Sequence, residues 1–178
     1  MKLPAVDGTV LWLLPDLKSA AHYSSVIKEL SRKYQSKVFI PHITLSRVPD
    51  WDLPQLKRGA DRIAEGVSQF SLQAETVKCG NNPYQKITAG IKKTIHLENL
   101  FDATDAIFGG KYSKRKYPHL SLHYNTIPCN QFSEEVKNLN QKLQPILTIQ
   151  QIALVSLKGA PNEWKVVYGK ILKTNGQD

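Results

Sequence analysis

The sequence predicts an α+β fold built from a duplicated unit. Three observations carry that expectation. Apolar residues recur alternately at strand spacing and at helix spacing along the whole chain. No composition shift, low-complexity stretch or linker interrupts the 178 residues, a length that suits one domain (1–178) with a sizeable core. A five-residue motif, proline-histidine-aliphatic-hydroxyl-leucine, occurs twice, each time after a strand and a helix.

The elements follow in order. Residues 9–14 are apolar and read as a buried strand that Pro15 stops. Tyr23, Val26, Ile27, Leu30 and Tyr34 fall at helical spacing and predict an amphipathic helix over 17–34. The alternation over 42–48 is that of a strand. Leu56, Ala60, Ile63, Ala64 and Val67 mark a second helix, with Pro54 near its start, where a missing N–H costs little. Phe70, Leu72 and Ala74 alternate, as do Ile87, Ala89 and Ile91, so two strands are joined through Gly80, Asn81, Asn82 and Pro83. Leu100, Ala103, Ile107 and Phe108 predict a third helix closing at Gly109 and Gly110. A strand over 119–124 comes next. Phe132, Val136, Leu139 and Leu143 then form one helical stripe, with Ser133 as the expected N-cap. Apolar runs over 152–157 and 164–171 flank a turn and close the chain as a hairpin. The order β-α-β-α-β-β-α-β-α-β-β places helices on the outer faces of sheets.

Charge and composition narrow the function. Lys and Arg number 24 against 15 Asp and Glu, a net charge of +9 that calls for an anionic partner or simply favours solubility. No apolar run approaches the roughly 20 residues a membrane span needs. Asp7 and Gly8 break the only N-terminal apolar stretch, so no secretory leader is expected and the cytoplasm is the expected compartment. Cys79 and Cys129 lie 50 residues apart, without a CxxC pair or metal-like spacing, and are expected to be reduced thiols.

The repeated motif carries the chemistry. Pro41-His42-Ile43-Thr44-Leu45 is matched by Pro118-His119-Leu120-Ser121-Leu122. The histidines are 119 − 42 = 77 residues apart, and Thr44 and Ser121 show the same separation. Successive side chains of a strand point to opposite faces. Each motif therefore buries its aliphatic residues on one face and presents an imidazole and a hydroxyl on the other. Two such strands side by side would offer both sets to one cleft. One imidazole could take a proton from water while the other gives one to a leaving alkoxide. The hydroxyls could hold the non-bridging phosphoryl oxygens. A lone histidine on a strand is usually a satisfied polar residue, and it is the doubling that points to catalysis.

The paired motifs resemble those of the two-histidine (2H) phosphoesterase superfamily. Within it, the chain is most similar to the cyclic phosphodiesterases that open nucleoside 2′,3′-cyclic phosphates and ADP-ribose 1″,2″-cyclic phosphate. The resemblance extends to the opening strand with Trp12 and Pro15, the stretches 77–80 and 84–87, the second motif through Tyr124, and Trp164. It implies a bilobal, pseudo-two-fold fold, with antiparallel sheets lining a central groove and helices outside. It implies His42 and His119 as the acid/base pair and Thr44 and Ser121 as phosphate ligands, with no metal and no cofactor. The expected partner is a small phosphorylated nucleotide, or an RNA end, met by a monomer away from membranes.

Other residues keep two readings. His123 departs from the aliphatic residue usual at that position. Strand parity places it on the face of His119 and Ser121, as a substrate contact or as a partly exposed strand end. Tyr84 and Tyr124 either meet substrate through ring or phenol or pack in the core. Trp12 and Trp164 read as core, and Trp51 lies in a loop that could flank the groove. His22 and His96 read as structural. The run from Gly109 to Lys116, with four cations, either draws phosphates toward His119 or is a solvated loop. Three activities fit: a metal-independent cyclic phosphodiesterase, an RNA-directed enzyme of the same superfamily, and a nucleotide-binding module without turnover. With both imidazoles near their ordinary pKa of about 6.5, the first reading expects a bell-shaped rate profile centred near neutrality.

Overall fold

A computed structural model describes residues 3–174. Its strands are β1 (Thr9–Pro15), β2 (Ile43–Arg47), β3 (Phe70–Cys79), β4 (Ile87–Ile91), β5 (His119–His123), β6 (Ile146–Ser156) and β7 (Lys165–Ile171). Four α-helices accompany them: α1 (Leu17–Lys33), α2 (Leu53–Ala64), α3 (Ile95–Phe108) and α4 (Ser133–Lys142). The strands join in one antiparallel sheet of order β1-β2-β5-β4-β3-β6-β7, and β6 also pairs with β1. The two lobes thus share one continuous sheet. The fold is α+β, as predicted.

Local chemistry explains the helix starts. Asp16 caps α1 by accepting from the Ser19 N–H at 2.8 Å. Asp52 and Gln55 form a reciprocal capping box on α2, with Pro54 in its first turn. Thr94 caps α3 through the Leu97 N–H. The expected cap of α4 is corrected. Ser133 is its first helical residue, Phe132 holds the cap position without a side-chain bond, and the Ser133 hydroxyl donates to the Asn130 carbonyl instead.

The duplication runs through the fold. β1-α1-β2-α2-β3 corresponds to β4-α3-β5-α4-β6, with paired elements starting 76 to 80 residues apart. β7 is an addition. Ile43 pairs with Leu120, and Ser71 pairs with Thr148. Each of these residues meets the one 77 positions away, so the pseudo-two-fold axis passes through both pairs. Between helices and sheet lies the main core, which includes Leu11, Leu13, Ile43, Leu45, Leu120 and Leu122. A second cluster, rich in aromatics, occupies the other face of β1 around Val10, Trp12 and Leu14.

Both motif strands also carry the same irregularity. Trp12 faces Thr44 and Leu11 faces Ser46, leaving Leu45 unpaired. Thr88 faces Ser121 and Ile87 faces His123, leaving Leu122 unpaired. Such a bulge shifts the alternation by one residue. Leu45 and Leu122 stay in the core, where alternation already places them, and the shift turns His123 to that same side.

The expectation of two reduced thiols is overturned. Cys79, at the end of β3, forms a disulfide with Cys129 in the turn after β5, their Cα atoms 5.7 Å apart. The fold brings together two residues whose spacing of 50 holds no pairing information. The bridge pins the loop that leads into β4. Opening it by reduction or by Cys129→Ala should lower unfolding stability by about 2–4 kcal/mol, because it releases a long loop in the unfolded chain. Denaturant titrations with and without reductant, alongside a free-thiol count, measure this. Equal stability in the two states would contradict it.

Candidate functional site

β2 and β5 lie side by side at the axis, so their pairing decides which motif residues meet. Continuing the Ile43–Leu120 register puts Ser121 across from His42 and His119 across from Thr44. The two imidazoles and two hydroxyls picked out in the sequence therefore sit on one pair of adjacent strands. Each histidine is held in the same way. The His42 Nδ1–H donates to the Ile40 carbonyl at 2.6 Å, and the His119 Nδ1–H donates to the Tyr117 carbonyl at 2.8 Å. In both cases the acceptor is the carbonyl two residues back. That bond fixes the tautomer and leaves Nε2 as the acceptor nitrogen.

The surroundings of the two rings differ. His42 is buried, 4% exposed, with the Trp12 ring stacked on it at 3.5 Å and 8°. Its Nε2 lies 3.4 Å from the Tyr124 hydroxyl. Burial, with a smaller contribution from His119, pushes its pKa down to about 3. His119 is only partly buried. Burial is also the main cause of its lowered pKa, and the Lys114 cation adds to the shift. The Ser121 hydroxyl donates to the Tyr84 carbonyl at 3.4 Å, a long and weak contact. The Thr44 hydroxyl makes no hydrogen bond among the described residues.

The secondary candidates separate. Tyr124 is buried, stacks on Phe39 at 3.8 Å, and reaches His42 through its phenol, whose pKa burial raises. Tyr84 packs against Tyr124 and Trp164, and its hydroxyl donates to the Pro4 carbonyl. His123 is corrected. The bulge at Leu122 reverses the parity, and His123 turns away from the face of His119 and Ser121. It is fully buried between Tyr34 and Phe132, with Nδ1 3.3 Å from the Ser36 hydroxyl and Nε2 3.2 Å from the Asn125 amide. It is neither a groove contact nor an exposed strand end. Trp51 packs against Phe108 and lines a hollow with α2 and α3 rather than the groove. His22 lies against Tyr23, and His96 stacks on Phe70. In the basic run, Arg115 is occupied by Glu98 at 3.4 Å and by Asp102 and Asp105. That run is thereby tied to α3, not loosely solvated.

Sequence reasoning missed Trp12 as a site residue. In an apolar strand a tryptophan is indistinguishable from core, and only the fold shows its face against His42. Among the described residues, no three His, Cys, Asp or Glu side chains gather as a metal site. No helix among them is long and apolar enough to cross a membrane.

A model of the family described as cyclic phosphodiesterase-like protein matches residues 7–174. The chain belongs to that family. No curated protein sequence matches it. Among solved structures, E. coli LigT complexed with 3′-AMP superposes with a TM-score of 0.58 at 11% identity, over 94% of this chain and 99% of that one. E. coli LigT complexed with phosphate gives 0.57 at 11%, over 96% and 100%. A further structure, described as a phosphoesterase, gives 0.58 at 10%, over 94% and 99%. At such identities the likeness is one of fold, and it is the 2H phosphoesterase fold.

Two buried neutral histidines have a consequence for stability. Burial lowers His123 to about 4 and His42 to about 3. The unfolded chain, with histidines near 6.5, binds protons more readily below that pH. Stability from these residues is therefore complete above pH 6.5 and falls as pH drops toward 4. For His123 the loss is about 3 kcal/mol at the acid end. His123→Phe should be less stable at pH 7, because Ser36 and Asn125 lose their partner, yet show a shallower decline between pH 6.5 and 4. Thermal melts across that range test this. An unchanged slope would contradict it.

Proposed function

We propose that this protein is a metal-independent cyclic phosphodiesterase. It hydrolyses nucleoside 2′,3′-cyclic phosphates, ADP-ribose 1″,2″-cyclic phosphate, or both, to phosphomonoesters. The observation that carries this reading is the matched pair of imidazoles, each held through Nδ1 by the carbonyl two residues back, which leaves Nε2 as the nitrogen that can exchange a proton. Family membership supports a phosphoesterase, and the fold is shared with LigT, whose structures hold 3′-AMP and phosphate.

The roles follow from the asymmetry. His42 is buried and neutral, so it is the base: its Nε2 takes a proton from water as the water oxygen attacks phosphorus. The bond from phosphorus to one ribose oxygen breaks, and that oxygen receives the proton of His119. Thr44 and Ser121 hydrogen-bond the non-bridging oxygens, where charge increases. Trp12 and Tyr124 position His42. A bound phosphate anion raises the pKa of His119 and so supplies the protonated acid. We place this chemistry in a monomer; the cytoplasmic placement expected from the sequence has to accommodate the Cys79–Cys129 bridge, because disulfides are uncommon there.

Turnover of a 2′,3′-cyclic mononucleotide should persist in EDTA. His42→Ala and His119→Ala should each lose about 10²–10⁴-fold. The lowered histidines replace the expected neutral optimum with an acidic one. The kcat/KM profile, which reports the free enzyme, should peak below pH 6.5 and fall as pH rises through the pKa of His119. The kcat profile should extend to higher pH, because bound phosphate holds that proton. Undiminished activity in either alanine variant, or a kcat/KM maximum above pH 7.5 with chemistry rate-limiting, would overturn the proposal.

A further inference from the structure

The two cysteines of the sequence are joined to each other, and their bridge lies beside groups that the proposed reaction uses. Cys79 ends β3 and opens the turn that leads to β4. That turn closes tightly. The Gly80 N–H donates to the Lys86 carbonyl at 3.0 Å, and a Cβ on Gly80 would stand 2.8 Å from the Gln85 carbonyl oxygen. The turn delivers Tyr84 to the site in two ways. Its carbonyl accepts from the Ser121 hydroxyl at 3.4 Å, and its ring meets the Tyr124 ring edge-on at 5.4 Å. Tyr124 in turn brings its hydroxyl within 3.4 Å of His42 Nε2. The segment after β5 meets the same turn. The Asn125 N–H donates to the Pro83 carbonyl at 3.0 Å, and the Asn125 side-chain oxygen accepts from the N–H groups of Thr126 and Ile127. The chain then reaches Cys129, whose Sγ is 3.3 Å from the Gly80 carbonyl oxygen. These contacts form a closed ring that runs from the bridge through the turn and Tyr84 to Ser121 and Asn125, and back to the bridge. Of the links between the turn and the segment after β5, the bridge is the covalent one. Both cysteines are half-buried, and Pro128 and Asn130 beside Cys129 are exposed, so a reductant can reach the bridge.

We propose that the Cys79–Cys129 bridge is a redox-controlled positioning element for Ser121 and His42: closed, it holds the active arrangement, and its opening by a dithiol lowers turnover. This rests on the cyclic phosphodiesterase reading above and adds the regulation of that site. A hydroxyl helps the transition state only if it is already aimed where charge develops. The contact from Ser121 to the Tyr84 carbonyl is too long to aim that hydroxyl unaided, so its direction depends on where the turn is held. With the bridge open, the turn and the segment after β5 can part. The Tyr84 carbonyl and ring then shift together, which loosens Ser121 directly and His42 through Tyr124. In the opening step a thiolate of the dithiol attacks one cysteine Sγ, the S–S bond breaks, and the other cysteine leaves as a thiolate. The second thiolate of the reductant then attacks its own sulfur in the mixed disulfide and releases the first cysteine. Both cysteines end as thiols and the reductant as a disulfide, an exchange of two electrons and two protons. Disulfides of cytosolic proteins are usually transient or redox-sensing, so a bridge that opens and closes also suits the compartment expected from the sequence.

The experiment measures kcat/KM for a 2′,3′-cyclic mononucleotide at room temperature with the bridge closed, opened by dithiothreitol, and closed again after the reductant is removed. A free-thiol count establishes each state, and a thermal melt establishes that each is folded. Opening should lower kcat/KM by about 10–100-fold, and closing should restore it. The variant Cys79→Ser/Cys129→Ser should keep the lower rate with and without dithiothreitol. Amide spectra of the wild type, which need no turnover, should shift at Tyr84, Ser121 and Tyr124 on opening and stay unchanged along α2. A reduced form that is folded and as active as the oxidised form would overturn the inference while leaving the enzyme reading intact. So would a reduced chain that unfolds at room temperature, since the bridge would then serve the fold as a whole, or a serine variant that dithiothreitol still slows. Absence of turnover in every form would overturn the enzyme reading itself, and the amide spectra would then decide whether the bridge positions these residues.

Discussion

The pairing of β2 with β5 at Ile43 and Leu120 is the contact on which the rest depends. Each motif alone is a half-buried strand with one imidazole and one hydroxyl. The pair across the pseudo-two-fold axis brings two such halves together, four groups on one pair of adjacent strands. Everything around it serves to hold that pairing in register. Ile43 and Leu120 are fully buried in the core below. Leu45 and Leu122 bulge into the same core, and this ends the regular alternation just beyond Thr44 and Ser121. A one-residue slip would send imidazoles to the core and aliphatic residues to the groove, so burial fixes the register strongly.

Duplication provides the frame, and departure from symmetry provides the division of labour. On the first lobe's side, Trp12 stacks on His42 and Phe39 and Tyr124 lie against it, and this burial lowers its pKa. On the second lobe's side, the place that aromatics fill in the first is left to a cavity edged by lysines. Two identical histidine attachments thus meet two different dielectric environments. The bonds to Ile40 and Tyr117 are alike, so what differs between the two rings is the aromatic burial of His42 and the Lys114 cation near His119. The Cys79–Cys129 bridge and the Arg115 ion-pair cluster fasten the two segments that flank this arrangement, one before β4 and one before β5.

Most of the framework was legible in the sequence because its signals are local. Strand alternation and helical spacing located the long elements, except the first half of β6, which pairs with β3, and the Pro-His-x-hydroxyl-Leu repeat located the four residues that meet across β2 and β5. What was not legible depends on contacts distant in sequence. His123 was misplaced because parity counting assumes a regular strand, and a bulge at Leu122 has no marker in a run of apolar and polar residues. The disulfide was missed because a separation of 50 says nothing about proximity. Trp12 read as core because it is core, and its second role comes from stacking on a ring 30 positions away. The Arg115 cluster was hidden in a basic run whose acidic partners lie one and more helix turns back on α3.

The tautomer of the two groove histidines tests this account most directly. Long-range ¹⁵N–¹H correlation spectra of the imidazoles, recorded without substrate near pH 6.5, distinguish Nδ1–H, Nε2–H and the doubly protonated ring. The account predicts that His42 is neutral with its proton on Nδ1 at that pH. It predicts that His119 carries its proton on Nδ1 as well and takes a second proton on Nε2 when inorganic phosphate is added, while His42 does not. An Nε2–H tautomer at either residue, or a His42 that is already an imidazolium at neutral pH, would contradict it.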